Sequence, residues 1–98
     1  MIKEENMTRN EIKELVYECA KNKFYDKERF NTYITSKPND GEDELIYSEI
    51  GFDSLDMVEF LMDIERRIGN HFIIEDSFID SKITLGKVID YIYDRLNK

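Results

Sequence analysis

Apolar residues return along this chain at helical spacing, and nowhere do they alternate over a useful length as a strand would require. Ile12, Leu15, Val16 and Cys19 fall at i, i+3, i+4 and i+7, one stripe of a first helix over residues 9–22. Thr8-Arg9-Asn10-Glu11 opens it as a capping box, the Thr8 hydroxyl accepting from the Glu11 amide and the Glu11 side chain from the Thr8 amide. Met7 and Ile12 take the two apolar positions that bracket such a cap, while residues 1–7 read as a frayed lead-in. A longer pattern runs from Asp53 to Gly69. Met57, Phe60, Leu61, Ile64 and Ile68 share its core face. Leu55, Val58 and Met62 form a second apolar stripe, interleaved with Asp56, Glu59 and Asp63. Asp53 or Ser54 can cap this helix. Arg66 and Arg67 suit its C-terminal dipole, and Gly69-Asn70 supplies the stop. A last helix follows Thr84, with Leu85, Val88, Ile89, Ile92 and Leu96 on one side; the flanking Tyr91 and Tyr93 are expected to keep their hydroxyls in water.

The connections are less regular. Residues 23–47 read as a long loop with room for a short helix near Asp26–Tyr33, rich in aromatic residues. Ser36-Lys37-Pro38-Asn39-Asp40-Gly41 is a turn signal, and Glu42-Asp43-Glu44 reads as a solvated charge run. A calcium loop built on Asp40, Glu42 and Glu44 fails, because Leu45 stands where that loop needs glycine. In 71–82, Glu75-Asp76-Ser77 is placed to cap one helical turn.

With 98 residues the chain is one small domain, and 41% hydrophobic against 37% charged residues marks it as globular, not disordered. The net charge of −8 is unevenly placed: Pro38 to Glu65 holds ten acids and no Lys or Arg, and the remainder is close to balance. A concentrated acidic face argues against nucleic acid and for a basic protein partner. One cysteine allows neither an internal disulfide nor a cysteine-based zinc site, so Cys19 is expected to fill a helix face. No apolar run is long enough to cross a membrane, and the N-terminal residues lack the apolar core of a signal peptide. A cytoplasmic monomer is the expectation.

Ser54, between a loop and a helix, is the residue to weigh for chemistry. As a nucleophile it lacks a base. The only histidine, His71, lies seventeen residues on, beyond the far end of a helix about 20 Å long at ~1.5 Å per residue. The glycine of a nucleophile elbow is missing two positions before it. No carboxylate spacing singles out an acid/base pair. No catalytic residue and no metal site are expected; a serine acted upon by another enzyme fits better.

Gly51-Phe52-Asp53-Ser54-Leu55-Asp56 resembles the modification motif of acyl carrier proteins, Gly-x-Asp-Ser-Leu-Asp. The likeness continues through Val58, Glu59, Phe60, Ile64, Glu65 and Ile68-Gly69, and resumes at Ile74-Glu75-Asp76, Lys82-Ile83-Thr84, Val88 and Asp90-Tyr91-Ile92. It covers roughly residues 48–95, with a compatible first helix. The resemblance implies one all-α carrier domain over 1–98, a bundle of three longer helices and one short one. It implies 4′-phosphopantetheine, taken from coenzyme A by a phosphopantetheinyl transferase and carried on Ser54. It implies that acyl groups travel on the arm as thioesters to loading, synthase or acyltransferase enzymes with basic docking patches. By position, Asp53, Leu55, Asp56, Val58, Glu59, Met62 and Asp63 would be the partner contacts. Acyl chains can also enter between the helices in this family, where Phe60 and Phe72 compete for the space. The chain departs from the family pattern at Glu49-Ile50, at Arg66-Arg67 and in its longer aromatic segment before Ser54. Fatty-acid synthesis and a specialised lipid or polyketide-type route both stay open; peptidyl and D-alanyl carriers are less similar around the serine. The alternative from another class is an unmodified helical interaction module, with Ser54 a plain cap.

Overall fold

Each amphipathic stripe becomes a helix. The computed structural model describes residues 7–69 and 71–97; the expected fraying of residues 1–6 and the stop role of Asn70 fall outside these. Among the described residues the four α-helices are α1 (Arg9–Lys21), α2 (Lys27–Thr35), α3 (Ser54–Ile68) and α4 (Leu85–Leu96). Three are longer and one is short, with no strand among the described residues beyond an isolated antiparallel bridge between Leu45 and Thr84. The α1 capping box forms as the sequence requires, Glu11 N donating to Thr8 Oγ1 at 3.1 Å and Thr8 N to Glu11 Oε1 at 2.8 Å. Met7 belongs to the core and not to a frayed end, since it is 8% exposed and joins Ile12 there.

One core fills the space between α1, α3 and α4. Ile12, Val16, Phe60, Ile64, Leu85, Val88, Ile89 and Ile92 are shut away from water, and α1 lies against both α4 and α3. Removing such side chains from water is the main favourable term in folding. Cys19 fills the α1 face as expected. Burial pushes its thiol up to about 12, with the nearby Asp63 carboxylate adding to the effect, so it holds no thiolate near neutral pH.

The segment 23–47 is more ordered than a long loop. Asp26 caps α2 by accepting from Arg29 N at 3.0 Å, and Phe30 and Ile34, one turn apart, are buried. Asn39, Asp40 and Gly41 then take three successive positive φ values, +56°, +54° and +78°. Asn, Asp and Gly tolerate that region best, which is why a turn-rich stretch can reverse the chain so sharply.

That reversal overturns one expectation. Glu42 is 5% exposed, and is not part of a solvated charge run. Arg9 clasps its carboxylate from α1, Nη2 at 2.7 Å from Oε1 and Nη1 at 3.1 Å from Oε2, and Lys13 Nζ approaches Oε2 to 3.0 Å. Arg9 Nε also holds Asp90 of α4 at 2.8 Å. The Glu42 backbone oxygen accepts from Gly86 N at 2.8 Å, and a Cβ on Gly86 would meet that oxygen at 3.1 Å. Any larger residue at Gly86 would crowd the Glu42 backbone there. The Tyr91 hydroxyl lies in an exposed hydrogen bond, accepting from Glu75 N at 3.1 Å, while its ring lies 4.3 Å from that of Phe78. The turn at Asp76–Phe78 forms after Glu75, without a side-chain cap.

The Arg9 hydrogen bonds hold the Glu42 carboxyl below the ordinary glutamate value of 4.5. The unfolded chain therefore binds that proton more tightly than the folded one. The stabilisation is full above the ordinary value and fades as pH falls through the folded-state pKa. Glu42→Gln is expected to cost about 1–3 kcal/mol at neutral pH. Urea titrations at neutral and acid pH should show the gap to the parent closing in acid; a gap independent of pH would contradict the pairing.

Candidate functional site

Three local devices set up Ser54. Residues Ile46–Ile50 form one wide helical turn, with Gly51 N donating to Ile46 O at 2.9 Å. Gly51 follows at φ +97°, a conformation that L side chains rarely adopt, and redirects the chain. Asp53 then caps α3: its carboxylate accepts from Asp56 N at 2.8 Å, while the Asp56 carboxylate accepts from Asp53 N at 3.1 Å. Of the two capping candidates, Asp53 has the duty. Ser54 is the first residue of the helix itself, exposed, and its hydroxyl has no hydrogen-bond partner among the described residues. The Ser54 and Leu55 amides likewise meet no backbone acceptor there, as expected of a first helical turn.

Behind Ser54, α3 separates its faces as the spacing predicts. Met57, Phe60, Leu61, Ile64 and Ile68 are buried. Leu55, Val58 and Met62 remain 63%, 50% and 54% exposed, so the second stripe does not pack on another helix. Ile73, from the connection after α3, adds a fourth exposed apolar side chain at 61%. Val58, Met62 and Ile73, together with Ile79 and buried Leu61, line a shallow groove of about 260 Å³. Ile74 N donates to Glu65 Oε2 at 2.7 Å and fixes that connection against α3.

The acids are placed less simply. Asp53 and Asp56 serve the cap. Lys23, from the turn after α1, donates to the Glu59 carboxylate and lies 3.8 Å from Asp56. Asp63 is engaged by Arg66 at 2.8 Å and Arg67 at 3.5 Å. Burial alone would raise the Asp63 pKa, but the Cys19 thiol and the two arginines outweigh it and hold the carboxyl below its ordinary value. His71 is exposed, in a left-handed conformation at φ +63°.

Sequence reasoning missed three parts of this region: Lys23, Ile73, and a depression of about 520 Å³ beside Glu49 and Ile50. Phe24, Phe30 and Tyr33 form its apolar wall, with Arg29 at the rim. Phe24 stacks on Phe30 with centroids 4.7 Å apart, Phe52 lies 6.0 Å from Phe24, and Phe60 meets Phe52 edge-on at 5.4 Å. The aromatic residues between α1 and Ser54 thus connect the surface depression to the core beneath α3. Their density in the sequence was the available signal.

Comparison of the chain with protein-family models, with curated proteins and with solved structures finds no match.

The capping geometry separates two substitutions. Asp53→Ala removes a side-chain acceptor from the helix start and is expected to cost about 0.5–2 kcal/mol. Ser54→Ala removes no hydrogen bond and should stay within about 0.5 kcal/mol of the parent. Thermal unfolding of both variants checks this; a larger loss for Ser54→Ala would mean that the serine carries the cap.

Proposed function

We propose that this chain is an acyl carrier whose working residue is Ser54, modified with 4′-phosphopantetheine by a phosphopantetheinyl transferase that uses coenzyme A. The observation that carries the reading is a hydroxyl at the first position of α3, exposed and without a described partner, beside a cap that Asp53 provides independently. A plain capping serine would spend its hydroxyl on the helix; this one is left over. The motif around it, Gly51 to Asp56, supports the same reading.

In the loading step the Ser54 oxygen bonds to the phosphorus that bears the pantetheine arm. The bond from that phosphorus to the adenosine bisphosphate breaks, and the hydroxyl proton passes to a base of the transferase. Ser54 suits this reaction because no element among the described residues covers it. The unpaired first-turn amides and the positive end of the α3 dipole favour a phosphodiester at that place. Once attached, the arm supplies a terminal thiol that holds acyl groups as thioesters. The chain's own part is to present the arm and to be recognised, with no catalytic residue of its own. Leu55, Val58 and Met62 would be the apolar anchors for partner enzymes, and Asp56 and Glu59 the charges that meet a basic patch.

A second reading, an unmodified interaction module, has in its favour the exposed patch of Leu55, Val58, Met62 and Ile73. It predicts a stoichiometric complex formed by protein that has never been modified.

Incubation with a fluorescent coenzyme A conjugate and a broad-specificity transferase tests the carrier reading. The parent should take up the label and Ser54→Ala, though folded, should not; labelled Ser54→Ala would remove the site assignment. Asp56→Lys with Glu59→Lys should slow labelling by about tenfold at low salt, with the difference shrinking as salt screens the face. Unchanged rates at both ionic strengths would contradict a charge-guided encounter.

A further inference from the structure

The backbone of Lys23 is held by hydrogen bonds that do not involve its side chain. It follows α1 in a turn tied back to that helix, Lys23 N donating to Ala20 O at 3.1 Å and Phe24 N to Lys21 O at 3.0 Å. The next side chain, Phe24, is anchored by Phe30 and reaches Phe52, two residues before Ser54. From this fixed turn the Lys23 ammonium crosses to α3, donating to Glu59 and standing 3.8 Å from Asp56. The side chain is only 21% exposed, so most of its stem is packed. Surface ion pairs are usually weak because two long side chains must be ordered to make them. Here one partner's backbone is fixed by hydrogen bonds outside the pair.

We propose that Lys23 is an internal competitor for the acidic face of α3: a basic group on a partner reaches Asp56 and Glu59 only by displacing the Lys23 ammonium. The identity of the partners rests on the carrier reading; the competition itself does not. Lys23 then acts as a specificity-determining residue. A surface that is merely basic gains little, because the charges it seeks are already matched. A partner with an apolar recess for Leu55, Val58 and Met62, flanked by bases, gains most. The hydrogen bond to Glu59, reinforced by the Asp56 and Asp53 carboxylates, raises the Lys23 pKa above its ordinary value, so the competitor stays charged at neutral pH.

The test is fluorescence anisotropy of a labelled synthetic amphipathic helix, arginines on one face beside leucines, titrated with unmodified full-length protein at low ionic strength. Lys23→Ala should bind about two- to fivefold tighter than the parent, the range a single exposed ion pair covers. Lys23→Arg should behave as the parent. Lys82→Ala removes the same charge from an exposed position without an ion pair among the described residues and should bind as the parent does. With Asp56→Asn and Glu59→Gln in place, Lys23→Ala should have no further effect, which is the coupling a double-mutant cycle isolates. The proposal is overturned by equal gains from Lys23→Ala and Lys82→Ala, by weaker binding of Lys23→Ala, or by a gain that survives loss of the two acids. Failure of the parent and every variant to bind overturns it too, since the face then has no cation site to compete for. The peptide assay involves no reaction at Ser54. A chain that never accepts the arm can still show the competition, and a loaded carrier can still fail it.

Discussion

A carboxylate taken out of water must be paired, and Glu42 is the one buried among the described residues. Arg9 and Lys13 pair it from α1, Arg9 carries the link on to Asp90 of α4, and Gly86 lets the Glu42 backbone lie against the start of α4. A buried ion pair is weak evidence of net stability against an apolar alternative, but breaking one is costly. Its value here is positional. The loop that carries Glu42 continues to Ile46, whose amide donates to Ile83 O at 3.0 Å, and then to Ile50 and Gly51. The loop that leads into α3, and so to Ser54, is thus anchored where it begins.

The helices were legible because their signals are local. The Thr8–Glu11 box, the Thr84 cap and the apolar spacing of α1, α3 and α4 all act within one or two turns, and the structure places each where the pattern does. The short α2 was legible only as room for a helix, since its burial depends on Phe24 and on the Asn39–Gly41 reversal folding over it. Glu42 was misread for a related reason. Between Asp40 and Glu44 it looks like any acid in a charge run; its partners stand 33 and 29 positions earlier, and no spacing rule reaches that far.

The candidate site divides in the same way. Ser54, the Asp53 cap and the two stripes of α3 follow from neighbours in sequence. The charge state of the face does not. Composition gives ten acids and no base from Pro38 to Glu65, which reads as a bare acidic surface. In the fold, Lys23 arrives from 36 positions away to meet Glu59, adding to the pairing of Arg66 and Arg67 with Asp63 that helical spacing already allows. What remains unmatched on α3 is the apolar stripe. In the proposed carrier, charge would guide encounter and apolar contact would hold the partner, so net charge alone overstates the electrostatic part of the proposed recognition.

The central claim is that Ser54 is presented to be modified, and the most direct measurement is fragment mass spectrometry of the Ser54 peptide from protein isolated out of its own cells. The expected result is a phosphodiester-linked pantetheine arm on Ser54, with the thiol free or acylated. A Ser54 peptide bearing no modification, in protein that also gains no mass with coenzyme A and an active transferase, would contradict the claim and leave the exposed stripe of α3 as the surface to explain.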